Sequence, residues 1–243
     1  MRNRSGVCLA LIALVIGAAR VSMAADCNSL PGASQLRGFL NAAPSSGGDA
    51  GGLFHGNRMW AAVVNRDGVV CSFATSTSDP TQVWPGSQAI AKSKAYTANA
   101  FSLDSLALST ARLYTFTQPG HSLWSLGQSN PFSPDALAAP GGQGGGGRNQ
   151  IAGGMIFFGG GVPLYRSGKI VGGLGISGDT SCADHEIAKR VRTLAGLDPS
   201  GGPATDDITY SSADGPSVFT HPLCPNTFRN GIFLGDESPA VGY

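Results

Sequence analysis

The chain has 243 residues, 36 of them glycine, and a formal net charge of +1. The near-neutral balance excludes the basic stripe that a nucleic-acid binder needs. The length suits one domain with a core of its own, and the glycines imply many turns and long loops.

The first 24 residues read as a secretory signal. Arg2 and Arg4 are a basic start, Val7 to Ala19 a short apolar core, and Ser22-Met23-Ala24 a small-residue cleavage site. The apolar core is short for a membrane span. Ala25-Asp26-Cys27 is a poor lipoprotein site, because Asp stands where a small residue is expected. The expectation is a soluble exported chain, periplasmic or extracellular. Removing residues 1–24 takes Arg2, Arg4 and Arg20 and leaves 13 basic against 15 acidic residues, or −2.

Residues 25–57 form a lead-in, with a short helix expected over Ser34 to Ala43 and a Gly/Ser loop over Ser45 to Gly52. Met59 to Thr75 reads as a hairpin turning at Asn65-Arg66-Asp67-Gly68. Pro85-Gly86-Ser87 marks a helix start with Ser87 as N-cap. That helix runs to about Phe101 with a stripe of Ala91, Ala95, Ala98 and Phe101, and Leu106 to Leu113 is a further helical segment. Gln118 to Met155 has no period and carries the run Gly141 to Gly147, so it reads as a mobile cover outside the core.

A second hairpin turns at Arg166-Ser167-Gly168-Lys169. Its outgoing strand puts Ile170, Leu174 and Ile176 on one side and Val171, Gly173 and Gly175 on the other. A helix over Cys182 to Ala195 follows, with a buried stripe of Ile187, Val191 and Leu194. Gly196 to Tyr243 is a Gly/Pro/Asp-rich tail. Two hairpin-then-helix units, marked by Gly68 with Ile90 and Gly168 with Ile187, fit an antiparallel sheet with helices packed on it.

Cys8 leaves with the signal, so Cys27, Cys71, Cys182 and Cys224 remain. An even number in an oxidising compartment points to two disulfides with three connectivities. A lead-in and a tail without their own cores each need a tie, which favours Cys27–Cys71 and Cys182–Cys224. Zinc is the competitor, disfavoured by the lack of a Cys-x-x-Cys pair.

Three motif matches fail on structural grounds. Gly173-Leu-Gly-Ile-Ser-Gly178 has dinucleotide spacing, but the strand that must follow the helix is replaced by Gly196-Leu-Asp-Pro-Ser-Gly-Gly-Pro203. Gly175-Ile-Ser-Gly-Asp179 lacks the second glycine of a nucleophile elbow. Gly168-Lys169 is followed by Ile170, where a P-loop needs Ser or Thr. No catalytic residue is assigned. The glycine-flattened strand has two readings, close packing against the alanine-rich helix or a seat for a planar ligand. The helix entry Asp179 to Asp184 likewise reads as a cap, with Ser181 and Asp184 at capping-box spacing, or as a place for a carboxylate.

Gly160-Gly161-Val162-Pro163, then Gly168, Gly172-Gly173-Leu174-Gly175-Ile176-Ser177-Gly178 and Asp179 to His185 together resemble the GlcG/HbpS family of haem-binding and haem-degrading-type proteins. Upstream, Trp60 to Gly68 and Ala89 to Ala95 resemble that family's first hairpin and central helix. The resemblance covers roughly Arg58 to Ala195. It implies a profilin-like α/β sandwich around a five-stranded antiparallel sheet, flanked by helices, over residues 58–195 with a long loop at 118–155. The tail, 196–243, is then tied on by a disulfide.

The resemblance also implies haem as cofactor, taken up, stored, sensed or slowly degraded. The alternatives are a binding protein or enzyme for small hydroxy acids of glycolate type, or a ligand-free structural oligomer. On the haem reading the ligand is small, flat and anionic and the chain a homo-oligomer. The ring then lies against Gly160, Gly161, Gly173 and Gly175, with Ser177, Gly178, Asp179 and Asp184 at the helix entry and Lys94 adding charge. His185, placed on the polar face of its helix, is the first choice for an iron ligand or propionate contact, ahead of His55 and His121. His221 is expected to play no part.

Overall fold

The computed structural model describes residues 26–136 and 149–239. The expected signal segment, residues 1–24, and the Gly141–Gly147 run lie outside the described residues. Four strands form one antiparallel sheet: β1 (Trp60–Asn65), β2 (Val70–Thr75), β3 (Gly161–Arg166) and β4 (Lys169–Ser177), in the order β2-β1-β4-β3.

Both hairpins are set by their turns. Gly68 has φ +83° and donates to the Asn65 carbonyl. Ser167 and Gly168 both have positive φ, +49° and +75°, the pair of left-handed residues whose twist matches the flanking strands.

Helices cover both faces. α1 (Ala33–Ala42) and α3 (Ser181–Leu194) lie on one, where Leu36, Leu40, Ile187 and Val191 meet Val63, Leu174 and Ile176. Leu36 and Leu40 are fully buried, each worth about 1.5–3 kcal/mol against exposure. α2 (Ser87–Ala100) lies on the other face, its Ala91 and Ala95 against Trp60, Ala62, Val64 and Phe73. Alanines suit α2 because they let the helix axis come close to a sheet with no side chains at Gly173 and Gly175.

The main sheet has four strands, not five. The chain beyond α3 passes through a short helix, α4 (Ser211–Asp214), and forms its own pair, β5 (Thr227–Arg229) and β6 (Ile232–Gly235). That pair bridges to Gly51 instead of extending the large sheet. The outward donors of β3 are also occupied. Gly161 N–H donates to Thr110 Oγ1 (2.8 Å), Pro163 has no N–H, and Tyr165 N–H donates to the Leu197 carbonyl (2.9 Å).

Other expectations also change. The cap of α2 is Gly86, and no side chain caps it, so Ser87 is already inside the helix. Leu106 to Leu113 contains only a 3-10 turn, Thr110–Leu113. The described parts of Gln118 to Met155 are half-buried or exposed over 118–135 and meet the core at Ala136 and Ala152. Ala136 and Ala152 are fully buried against the α2 face, and Ile151 bridges Val69. Lys92, buried beneath, donates to the Ala136 carbonyl (2.6 Å).

The disulfides join Cys27 to Cys71 and Cys182 to Cys224, with Cα separations of 5.3 and 6.0 Å. The first ties the lead-in to β2, and the second ties the tail to the first turn of α3.

Candidate functional site

The start of α3 gathers the lead-in, α2 and the tail. Thr180 is the N-cap, its hydroxyl accepting the Ala183 N–H (3.3 Å), so the expected Ser181–Asp184 capping box is not the one used. Asp179, buried, turns toward the lead-in and accepts the Leu53 and Phe54 N–H groups (2.6 and 2.8 Å). Asp184 turns inward. One oxygen accepts the Asp179 N–H (2.9 Å) and the other meets Lys94 Nζ at 2.7 Å.

The Lys94–Asp184 pair is sealed from water, with side-chain exposures of 0 and 2%. Burial pushes the Asp184 carboxyl up to about 6, against the pull of Lys94. Burial also lowers the Lys94 ammonium, with Asp184 opposing. Lys94 donates further to the Ile176 carbonyl (3.1 Å) and lies over the Phe158 ring at 4.8 Å. It is therefore a buried strut between α2, β4 and α3, and not a charge offered to a ligand.

The glycines decide between the two readings of the flat strand. A Cβ on Gly173 would run into the Ala95 carbonyl, and one on Gly175 into the Ala91 carbonyl. The α2 backbone fills that face, so packing explains these glycines and no ring can lie on them. Gly160, at φ +118°, would put a Cβ 2.6 Å from Lys94 Nζ and 2.9 Å from Asp184 Cβ. Gly161 would strike the Lys94 carbonyl at 2.6 Å, and Gly178 the Arg58 carbonyl. Ser177 closes β4, buried.

His185 is not on an open face. It is 1% exposed, its Nε2 is 3.4 Å from Asp207, and its Nδ1 has no partner. The tail lies over the side of α3 that the helical pattern left polar. Asp207 also meets Lys189 at 2.9 Å. Burial works to raise the Asp207 carboxyl, but the His185 and Lys189 contacts prevail and hold it well below the usual range. His55 is exposed and paired with Asp49 (2.9 Å), and His121 lies exposed in the turn after Gln118.

His221 is the histidine that the fold brings to the α3 entry. It is 2% exposed, between Tyr114 and Tyr210, with ring centroids 5.0 and 6.4 Å away. Nδ1 faces the Pro222 carbonyl at 2.7 Å, and Nε2 accepts the Gly159 N–H at 3.2 Å. Burial pushes its pKa down to about 4, so the ring is neutral at pH 7 with the proton on Nδ1. The signal was in the sequence: His221 stands three residues before Cys224, and the Cys182–Cys224 bond delivers it to this turn.

A groove of about 400 Å³ opens here, with Tyr114, Phe158, Ser181, His221, Leu223 and Cys224 in its walls. A cavity of about 420 Å³ shares His221, Pro222 and Leu223 and reaches Tyr210. The Tyr210 hydroxyl is buried without a partner, and burial raises its pKa, so it stays a donor. Three N–H groups of the first turn are already used, Cys182 on Cys224 Sγ (3.2 Å), Ala183 on the Thr180 hydroxyl and Asp184 on the Thr180 carbonyl (2.8 Å).

Residues 50–192 match the family model described as haem degrading protein HbpS-like. The chain belongs to the HbpS-like family. Solved structures similar to this HbpS-like chain include a PduOC–haem complex, at 22% identity and TM-score 0.48, covering 72% of this chain and 94% of that one. The Klebsiella pneumoniae protein ORFY follows at 19% and 0.46, covering 70 and 90%. A double mutant of Streptomyces reticuli HbpS gives 21% and 0.42, covering 75 and 98%. No curated protein matches the chain. The HbpS-like match ends inside α3, so His221 and Cys224 lie beyond it. Among the described residues, no helix is long and apolar enough to cross a membrane.

Proposed function

We propose that this HbpS-like chain is an exported haem-binding protein and that haem seats in the groove at the start of α3. Family membership supports the ligand, and the make-up of the groove supports the place. Tyr114, Phe158 and Leu223 give aromatic and apolar walls suited to a planar ring. The positive end of the α3 dipole and the hydroxyls of Thr180 and Ser181 suit a propionate. Tyr210 lines the adjoining cavity, and its hydroxyl is a buried donor without a protein partner.

His221 takes the place expected of His185. Its Nδ1 proton rests on a backbone carbonyl, which leaves Nε2 as the nitrogen for a metal in exchange for the Gly159 N–H. Haem, when bound, supplies a redox-active iron. The chain supplies the walls, the dipole and the imidazole. The observation that carries this reading is one place where aromatic walls, a helix start and a neutral histidine coincide. The homo-oligomer expected for the family belongs to the same reading and is read by sedimentation.

Titration of the mature chain with haem, followed by absorbance, is the test. A saturable Soret band is expected, weakened in Leu223→Glu and shifted in His221→Ala. No Soret change in the unaltered chain removes haem as the ligand. A normal spectrum and affinity in both variants removes the groove as the site.

A further inference from the structure

We propose that reducing the Cys182–Cys224 disulfide creates a site for a thiophilic divalent cation of the zinc class, held by Cys182 Sγ, Cys224 Sγ and a ring nitrogen of His221. The three donor atoms already lie within 4.8 Å of one another, and all three residues are buried. Zinc–sulfur bonds of about 2.3 Å and zinc–nitrogen bonds of about 2.0–2.1 Å set tetrahedral ligand atoms about 3.4–3.8 Å apart. The sulfurs therefore separate by about 2 Å from bonding distance, and the imidazole nitrogen closes by about 1 Å or less.

The surroundings favour the reduced donors. Cys224 Sγ accepts the Cys182 N–H at 3.2 Å and stands 3.3 Å from Ser181 Oγ, at the positive end of a 14-residue helix. Donors and a helix N-terminus of this kind stabilise a thiolate. The Pro222 carbonyl, 2.7 Å from Nδ1, fixes the tautomer that leaves the Nε2 lone pair for a cation, in exchange for the Gly159 N–H. The groove along Ser181, His221 and Cys224 leaves a fourth position for water or the Ser181 hydroxyl. The sequence carries the pattern as His221-Pro222-Leu223-Cys224, a spacing that a search for Cys-x-x-Cys passes over.

The chemistry balances with an external dithiol. Two electrons and two protons pass from the dithiol to the disulfide, the dithiol closes to its own disulfide, and Cys182 and Cys224 become thiols. The cation then binds both as thiolates and releases two protons. In the oxidised chain both sulfurs are tied to each other, so the site exists only after reduction.

The experiment is anaerobic titration with Co²⁺ of the haem-free chain, reduced with a dithiol that is then removed. The expected result is a one-to-one tetrahedral spectrum with sulfur-to-cobalt charge transfer, displaced by Zn²⁺. It should be absent from the oxidised chain and at least about tenfold weaker in affinity in reduced His221→Ala. Cys27 and Cys71 are also freed by the dithiol, so the titration is repeated in Cys27→Ala/Cys71→Ala, where the spectrum persists. The proposal is overturned by no tetrahedral spectrum in the reduced chain, or by one that His221→Ala leaves unchanged. It is equally overturned by a signal that vanishes with Cys27 and Cys71. A reduced chain that has lost its helical circular dichroism also refutes it, because the three donors are then no longer held together.

Discussion

Gly175→Ala tests whether the flat strand is packing or platform. The added methyl falls 2.5 Å from the Ala95 nitrogen and closer still to the Ala91 carbonyl oxygen. Ordinary contact begins near 3.4 Å, so α2 must move off the sheet by about 1 Å or more. It cannot move freely, because Lys94 fixes it to Asp184 and Lys92 to the Ala136 carbonyl. Overpacking of this kind costs typically about 1–3 kcal/mol, and a clash with backbone belongs at the upper end. At about 3 kcal/mol per molar for the urea slope, the midpoint falls by about 1 M. Gly38 is the control. It lies inside α1 with nothing within 4 Å of an added Cβ, so Gly38→Ala should stabilise by about 0.5–1 kcal/mol. The assay is urea unfolding of both variants with the disulfides intact. Gly175→Ala with an unchanged midpoint would refute the packing account and reopen the strand as a ligand face.

Three other outcomes follow from the structure. Arg192 and Asp206 form a buried pair at 2.7 Å, and an arginine cannot shed its charge, so Asp206→Ala should cost about 3–5 kcal/mol by chemical unfolding; a loss under 1 kcal/mol would show that Asp198 alone compensates Arg192. The His221 pKa falls from 6.5 unfolded to about 4 folded, so its share of stability is full above pH 6.5 and is lost as pH drops through 4. That share is about 3 kcal/mol, and unfolding midpoints measured from pH 7 to 4 should fall less in His221→Asn than in the unaltered chain. Replacing Cys27 and Cys71 together by Ala opens a link of sequence separation 44 and should cost up to about 4 kcal/mol, while non-reducing peptide mapping should find Cys27 joined to Cys71 and never to Cys224.

Much of the fold could be read from local chemistry. Gly68 and Ser167-Gly168 demand turns, and the alanine stripe of α2 announces a close partner. The disulfide pairing followed from asking which segments lacked a core. What stayed hidden depended on the path of the tail. A helix with Ile187 and Val191 on one stripe is expected to leave His185 in water, but Asp207, Ile208 and Tyr210 return over that side and bury it. The same return brings in His221 and Tyr210, which no periodicity marks. Ser87 is expected as the cap, but the Gly86 backbone takes that position without a side chain. The anchoring of the long glycine-rich segment at Ala136 and Ala152 is hidden in sequence, since two buried alanines make no pattern.

The outer edge of β3 has a consequence for the molecule in company. An exposed strand edge is a template on which a neighbouring chain can add a strand, the first step of amyloid-like stacking. Here the three outward positions are a donor spent on Thr110, a proline with none, and a donor spent on Leu197. Contact with another copy along this side must then be made by side chains, whose register can be specific. At high concentration the folded chain should resist seeding through β3, and Thr110→Val, which frees the Gly161 N–H, should be the change that first weakens that protection.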